Sequence, residues 1–202
     1  MLLELLKNRR ATHHFLPDNR ISDETFLSLL EGVRYTPSGY NAQPWLLYLF
    51  REKKDLEMLT NIALEQPQIK EAGNAVLVLG NAEFGNDEWE RILKEWKEVR
   101  KFSAEKIESL KASLQRERPT EKEKSMALRN ASLAAMNFLL CAEDAGWNTC
   151  PMMGYSQLGM KQWLGLEEKW VQVMLIALGK ADPKKTEAPF PRKKSAELVK
   201  FW

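Results

Sequence analysis

Histidine and cysteine are nearly missing from this chain: two of each in 202 residues, His13, His14, Cys141 and Cys150. Adjacent histidines point apart on either a helix or a strand, and with two scattered cysteines they give no zinc-ligand spacing. A Ser-His-Asp hydrolase would have to use one of that pair, and no G-x-S-x-G turn is present. Gly80 and Gly85 have P-loop spacing, but Asn86-Asp87 follows where Lys-Ser/Thr is required. G-x-G-x-x-G is absent too, which argues against a Rossmann dinucleotide site. No run approaches the ~18–20 apolar residues needed to span a bilayer, so no membrane partner is expected. A net charge of only +2 gives the whole molecule no strong pull toward nucleic acid. What remains is chemistry carried by a cofactor, or no catalysis at all.

What is present fits a soluble globular chain: 44% hydrophobic and 29% charged residues, at a length that suits one domain over 1–202. The opening MLLELLKNRR has an acid within its apolar part and its basic residues after it. A signal peptide has the reverse order, so the expected compartment is the cytoplasm, where both cysteines read as reduced core thiols.

Ser22 reads as a helix N-cap, followed by Asp23 and Glu24 in the first turn and Phe26, Leu29, Leu30 and Val33 at helical spacing. That helix stops at Tyr35-Thr36-Pro37-Ser38-Gly39. Trp45 to Phe50, Ala75 to Gly80 and Val171 to Gly179 read as buried strands. Two long helices are expected between the last two. The first, Asn86 to Arg116, is amphipathic, with Trp89, Ile92, Leu93 and Trp96 on one face. The second, Glu121 to Ala145, carries only Ser132, Asn137 and Cys141 as polar residues from 132 to 142, so it is expected to be buried nearly all round and to end at Gly146. Lys180 to Lys194 is rich in Lys and Pro and reads as an extended tail, solvated or wrapped over a partner.

Three blocks can carry chemistry. Arg9-Arg10-Ala11-Thr12-His13-His14-Phe15 places forked donors at a helix end, where they are either solvated or set for a phosphate. Thr36-Pro37-Ser38-Gly39-Tyr40-Asn41-Ala42-Gln43-Pro44-Trp45 is either an ordinary helix-to-strand connection or a row of hydrogen-bonding groups for a heteroaromatic ligand. Pro191-Arg192-Lys193-Lys194 is either a solvated tail or a phosphate clamp.

In this order and at these separations the blocks resemble the FMN-binding nitroreductase family. RRATHHF is similar to its N-terminal R-R-S-x-R-x-F, and TPSGYNAQPW to its A-P-S-S-x-N-x-Q-P-W. NASLAAMNFLLCAEDAG with WNTCPMMGY resembles its central helix and flavin-facing strand-loop, and QVMLIALGKADPKK with PRKK its last core strand and tail. The resemblance covers nearly the whole chain. It implies an α+β fold, a central, mostly antiparallel sheet flanked by helices, with the C-terminal tail wrapping the partner of a homodimer.

Carried over by position, the resemblance puts Arg9, Arg10 and Ala11 near the FMN phosphate and ribityl chain, with Arg192 and Lys194 closing on the phosphate. His13 falls toward the pyrimidine side. Pro37, Ser38, Gly39 and Asn41 would come from the other subunit, beside Asn130. Pro151, Met152, Met153 and Gly154 would pack on the ring, and Gln68 would approach its N1–O2 or N3 edge. Ala11 stands where the family has serine, and His13 and Gln68 where cations are common. No protein residue is implied as an obligate catalytic acid or base. The implied activity is ping-pong: NADH or NADPH gives hydride to the flavin and leaves, and a nitroaromatic, quinone or similar oxidant takes the same place. The competing expectations are a flavin-binding carrier or regulator with little turnover, a same-fold reductase of enones, aldehydes or free flavin, and an RNA-associated protein, which the small net charge disfavours.

Overall fold

A computed structural model of the chain describes residues 2–17, 19–115, 117 and 119–202. In chain order the elements are α1 (Leu2–Asn8), α2 (Asp23–Arg34), β1 (Trp45–Phe50), α3 (Lys53–Ile62), α4 (Gln68–Ala72), β2 (Ala75–Asn81), α5 (Phe84–Asp87), α6 (Trp89–Glu98), α7 (Ala104–Leu114), α8 (Glu121–Asp144), β3 (Asn148–Met152), α9 (Gln157–Leu164) and β4 (Trp170–Gly179). The strands form one antiparallel sheet in the order β1-β2-β4-β3. The α+β architecture is therefore the expected one.

Both faces of the sheet are covered, which is why β2 is apolar without alternation and buried at every position. Ala75, Leu77 and Leu79 face a cluster with α3, α4 and α9, while Val76 and Val78 face α2 and α8. On β4 the parity changes once. Val78 pairs with Met174 but Leu79 with Gln172, so Val173 is an extra residue and shares its face with Ile176 and Leu178. β1 departs from expectation. It is an edge strand with only Phe50 buried and Tyr48 exposed, because β2 is its one neighbour among the described residues.

Ser22 caps α2 as expected, accepting from the Thr25 amide at 3.1 Å. The single helix expected over Asn86 to Arg116 is instead α5, α6 and α7, and Arg116 itself lies outside the described residues. The chain leaves helical geometry at Glu88, then again where Lys101 takes φ 54° and Ser103 starts α7 by accepting from the Lys106 amide. Breaking the run lets Ile92, Trp96 and Leu114 close over Phe84 and Ala42 as a small third core.

α8 has the expected extent and is held at its start by a capping box between Thr120 and Glu123. Thr120→Ala should cost about 1 kcal/mol, read as a melting-temperature drop of about 2–4 °C. An unchanged midpoint would mean the cap contributes nothing. The expectation of burial nearly all round needs correcting. Ala131, Ala134, Ala135, Phe138, Leu139 and Ala142 are buried against the sheet and α2, but Leu128, Leu133 and Met136 on the far side are exposed. One chain covers only one face of this helix. The tail from residue 183 onward is exposed throughout, with a short 3-10 turn at Ser195–Leu198.

Both cysteines are free thiols, Cys150 buried and Cys141 half-buried. Among the described residues no helix is long and apolar enough to cross a membrane, and no His/Cys/Asp/Glu group could hold a metal ion.

Candidate functional site

The arm after α1 is drawn onto the sheet by backbone bridges to residues far along the chain. Ala11 bridges to Thr149 at the edge of β3, the Thr12 amide donates to the Thr149 carbonyl at 2.9 Å, and Phe15 bridges to Ala181 beyond β4. Asn74, fully buried, fixes the segment that follows. Its Oδ1 accepts from the Ile21 amide at 3.0 Å, and its Nδ2 donates to the carbonyls of Asn19 (2.6 Å) and Leu178 (3.0 Å).

Arm and tail together enclose a cavity of about 410 Å³, within the size range of small-molecule sites. Arg9, Arg10, Ala11, His13 and Arg192 all line it, as do Glu143 and Lys185. Arg10 is partly committed: its guanidinium donates to the Glu187 carbonyl at 2.9 Å, which pins the tail to the arm. Arg9 differs, since its Nη1 is buried without a hydrogen-bond partner. A buried cationic donor left open is costly unless something anionic completes it. Lys194 does not line this cavity. It sits at the start of the 3-10 turn, its amide donating to Glu197 Oε1 at 2.8 Å.

A second group gathers where β3 ends. Met152 is buried and Met153 and Gly154 are exposed. Gln68, also buried, donates through Nε2 to Gln66 Oε1 at 2.7 Å and lies 3.5 Å from the Met152 sulfur. Gln66 in turn donates to the Gly154 carbonyl at 2.8 Å. Sequence reading missed Gln66. Its reach to Gly154 depends on a turn in which Leu64 and Glu65 take φ 56° and 61°, with no glycine to announce it. Burial pushes the Cys150 thiol up, with a hydrogen bond from Gln68 opposing, and burial pushes the Tyr155 phenol up to about 12. Both groups stay neutral at ordinary pH, so neither is poised as a base.

The third group stands apart. Asn130 on α8 accepts from the Gly39 amide at 3.2 Å and donates to the Met126 carbonyl at 2.9 Å, which sets Pro37, Ser38, Gly39 and Asn41 around it. This loop feeds Trp45, which pairs with Gly80 at one end of the sheet, whereas the arm lies where Asn148 pairs with Gly179 at the other. From Val171 to Gly179 is roughly 25 Å of strand, and from Asn130 to Glu143 about 20 Å of helix. Within one chain the loop and the arm cannot touch the same small ligand.

Beside the loop lies a second opening of about 690 Å³, lined by Tyr40, Asn41, Glu95, Trp96, Phe102 and Lys106 among others. Its wall is aromatic: Trp96 meets Tyr40 at 5.8 Å and Phe102 at 6.1 Å between ring centroids, and Trp89, outside the lining, backs Trp96 at 5.9 Å. The α6 aromatics Trp89 and Trp96 were legible as an amphipathic face, but their closure over the loop depends on the helix breaks.

Residues 6–180 match the model of the nitroreductase family. MhqN, a Bacillus subtilis protein of the NAD(P)H nitroreductase type, is 30% identical over 191 residues, covering 93% of this chain and 91% of its own. The crystal structure of YdfN, a nitroreductase-type protein also from Bacillus subtilis, superposes with a TM-score of 0.90 at 27% identity, over 99% of this chain and 98% of that one. A nitroreductase-type protein from Exiguobacterium sibiricum, solved in complex with FMN, shares the fold at a TM-score of 0.86 and 24% identity, over 100% of this chain and 97% of that one.

Proposed function

The chain belongs to the nitroreductase family, and we propose that it is an FMN-dependent oxidoreductase, passing electrons from NADH or NADPH to nitroaromatics, quinones or similar flat oxidants. The observation that carries this reading is Arg9 Nη1, buried and unpartnered in the cavity that arm and tail enclose. A phosphate monoester supplies what that nitrogen lacks, and the guanidinium fork matches its oxygens.

When bound, FMN supplies a reversible carrier that takes hydride from the nicotinamide and yields electrons to the oxidant in alternating half-reactions. The chain's own residues hold and orient. Arg9, with Arg192 from the tail, binds the phosphate, and Arg10 keeps the tail in place; Lys194 joins them if the tail tightens. Ala11 leaves room for the ribityl chain, and His13 stands on the pyrimidine side. Pro151, Met152, Met153 and Gly154 give the ring an apolar floor, stiffened from behind by Gln68 and Gln66. Pro37, Ser38, Gly39 and Asn41, on Asn130, serve the partner's cofactor, because they lie too far from their own chain's arm.

The active form is thus a homodimer of single-domain chains, with the cytoplasm as its compartment. Apolar surface supports this: Leu128, Leu133 and Met136 on α8, Leu2, Leu3 and Leu6 on α1, and Phe190, Leu198, Phe201 and Trp202 in the tail are all exposed in one chain. Purified protein should be yellow, sediment as a dimer, and oxidise NADPH or NADH steadily with menadione or nitrofurazone. Colourless monomer that stays so in FMN defeats the reading; yellow dimer without turnover makes it a flavin carrier.

The aromatic wall predicts where the oxidant stacks. Phe102, partly exposed at the lip of the opening, contributes a contact of about 0.5–1.5 kcal/mol. Phe102→Ala should raise KM for aromatic oxidants by roughly 3–10-fold, leaving kcat and FMN affinity nearly unchanged. An unchanged KM would place the guest elsewhere.

A further inference from the structure

The loop from Gly39 to Gln43 is held in a conformation it would not choose alone. Tyr40, Asn41 and Gln43 all have positive φ, at 60°, 54° and 49°, and none is glycine. Its internal bonds are few: Asn41 and Ala42 amides to the carbonyls of Ser38 and Gly39, both 3.1 Å, and the Gln43 amide to Ser38 Oγ at 3.0 Å. Asn130 on α8 holds the Gly39 amide at 3.2 Å, and the rest of the restraint comes from α6.

Arg91 supplies it. Its Nη1 donates to the Asn41 carbonyl at 3.1 Å and its Nη2 to the Ala42 carbonyl at 2.6 Å. On its other side Nε donates to Glu88 Oε2 at 2.9 Å and Nη1 to Glu95 Oε1 at 2.8 Å. Partial burial would lower this guanidinium, but its bonds to Glu88 and Glu95 leave it raised, so the charge is secure. A lysine offers one nitrogen and cannot span two carbonyls and two carboxylates in a plane.

Glu95 adds a second restraint. Its Oε2 accepts from Asn41 Nδ2 at 2.8 Å. A carboxylate can only accept, so the amide is fixed with its nitrogen toward Glu95 and its carbonyl oxygen turned away. We propose that Arg91, acting with Glu95, is a positioning residue that holds the 39–43 loop and presents Asn41 Oδ1 as a hydrogen-bond acceptor to a hydroxyl or ring N–H of the bound cofactor. The inference rests on the reading that Asn41 meets FMN.

The test uses the full-length protein, with FMN affinity and thermal midpoint measured for Arg91→Met, Arg91→Lys, Glu95→Gln, Asn41→Ala and the Arg91→Met/Asn41→Ala pair. Arg91→Met should weaken FMN binding about tenfold, with Arg91→Lys and Glu95→Gln between it and the parent. The pair should be no weaker than its worse member, since both changes remove one contact. Gln43→Gly, which relieves a positive φ, should recover part of the loss in the Arg91→Met background. Parental affinity in Arg91→Met, a lowered midpoint alone, or strictly additive losses in the pair would overturn the proposal. If Arg91→Met does not fold, Arg91→Lys and Glu95→Gln decide it by the same measure. Parent protein that binds no FMN defeats the reading of the site instead, and is recognised before any variant is made.

Discussion

Arg9→Met should weaken FMN binding about a hundredfold while leaving the flavin-free protein as stable as the parent, or more so. The two effects have opposite signs because one atom is responsible for both. In the free chain Nη1 is buried with no acceptor, and an unmade bond of that kind costs about 1–3 kcal/mol. Methionine keeps much of the apolar stem and removes the unpaired donor, so the free protein should gain about 2–6 °C in melting temperature. Bound phosphate reverses the balance. A charge-assisted, forked contact to it is worth about 1.5–3 kcal/mol, or roughly 10–150-fold in affinity. Arg9→Lys, which keeps the charge and loses the fork, should fall between. Fluorescence titration gives the affinities and thermal unfolding of stripped protein the stabilities. A stripped variant markedly less stable than the parent would show Arg9 to be an ordinary structural residue, and the phosphate assignment would fall with it.

The same residue shows how far the sequence could be read. An arginine pair at a helix end is equally a solvated helix end and a phosphate clamp, and nothing in RRATHHF separates these. The difference lies in Ala11 bridging to Thr149 and the tail crossing over at Glu187, contacts made between residues more than a hundred positions apart. Local signals fared well where local physics decides: Ser22 as a cap, β2 as an unbroken buried strand, Glu121 to Ala145 before Gly146 as the extent of α8. They failed where a backbone takes a positive φ without glycine. Lys101 splits the expected long helix, Leu64 and Glu65 aim Gln66 at Gly154, and Tyr40, Asn41 and Gln43 shape the loop that Arg91 holds. Such positions are stabilised by tertiary contacts, so no propensity scale marks them. The burial expected of α8 failed for another reason. Its apolar residues surround the helix, but the sequence does not say whether the second face meets the same chain or another copy.

Asn74→Ala should cost about 3–5 kcal/mol, among the largest losses a single substitution can give in this protein. The side chain is fully buried and joins three backbone groups from two distant segments, the Ile21 amide and the carbonyls of Asn19 and Leu178. Truncation removes these bonds, with a longer one to the Ala72 carbonyl, and strands the Ile21 amide, in a residue 1% exposed. Asn74→Asp, nearly the same shape, should be no milder. It keeps an acceptor for Ile21 but turns its other oxygen toward two carbonyls, and it places a carboxylate where water cannot reach. Burial and the facing carbonyls disfavour the ionised form, so the folded pKa of that carboxyl would lie above the unfolded value of about 3.9. An acid raised on folding is penalised from its unfolded pKa upward. The aspartate variant's deficit against the parent should therefore be smallest near pH 4 and widen toward pH 8. Denaturant unfolding at both pH values measures it, and a deficit that shrinks as pH rises would mean the side chain has left the site. Because Asn74 ties residues 19–21 to the sheet end on which the arm lies, the alanine variant should also hold FMN less firmly well below its melting temperature. The arm would then reach the phosphate without its anchor.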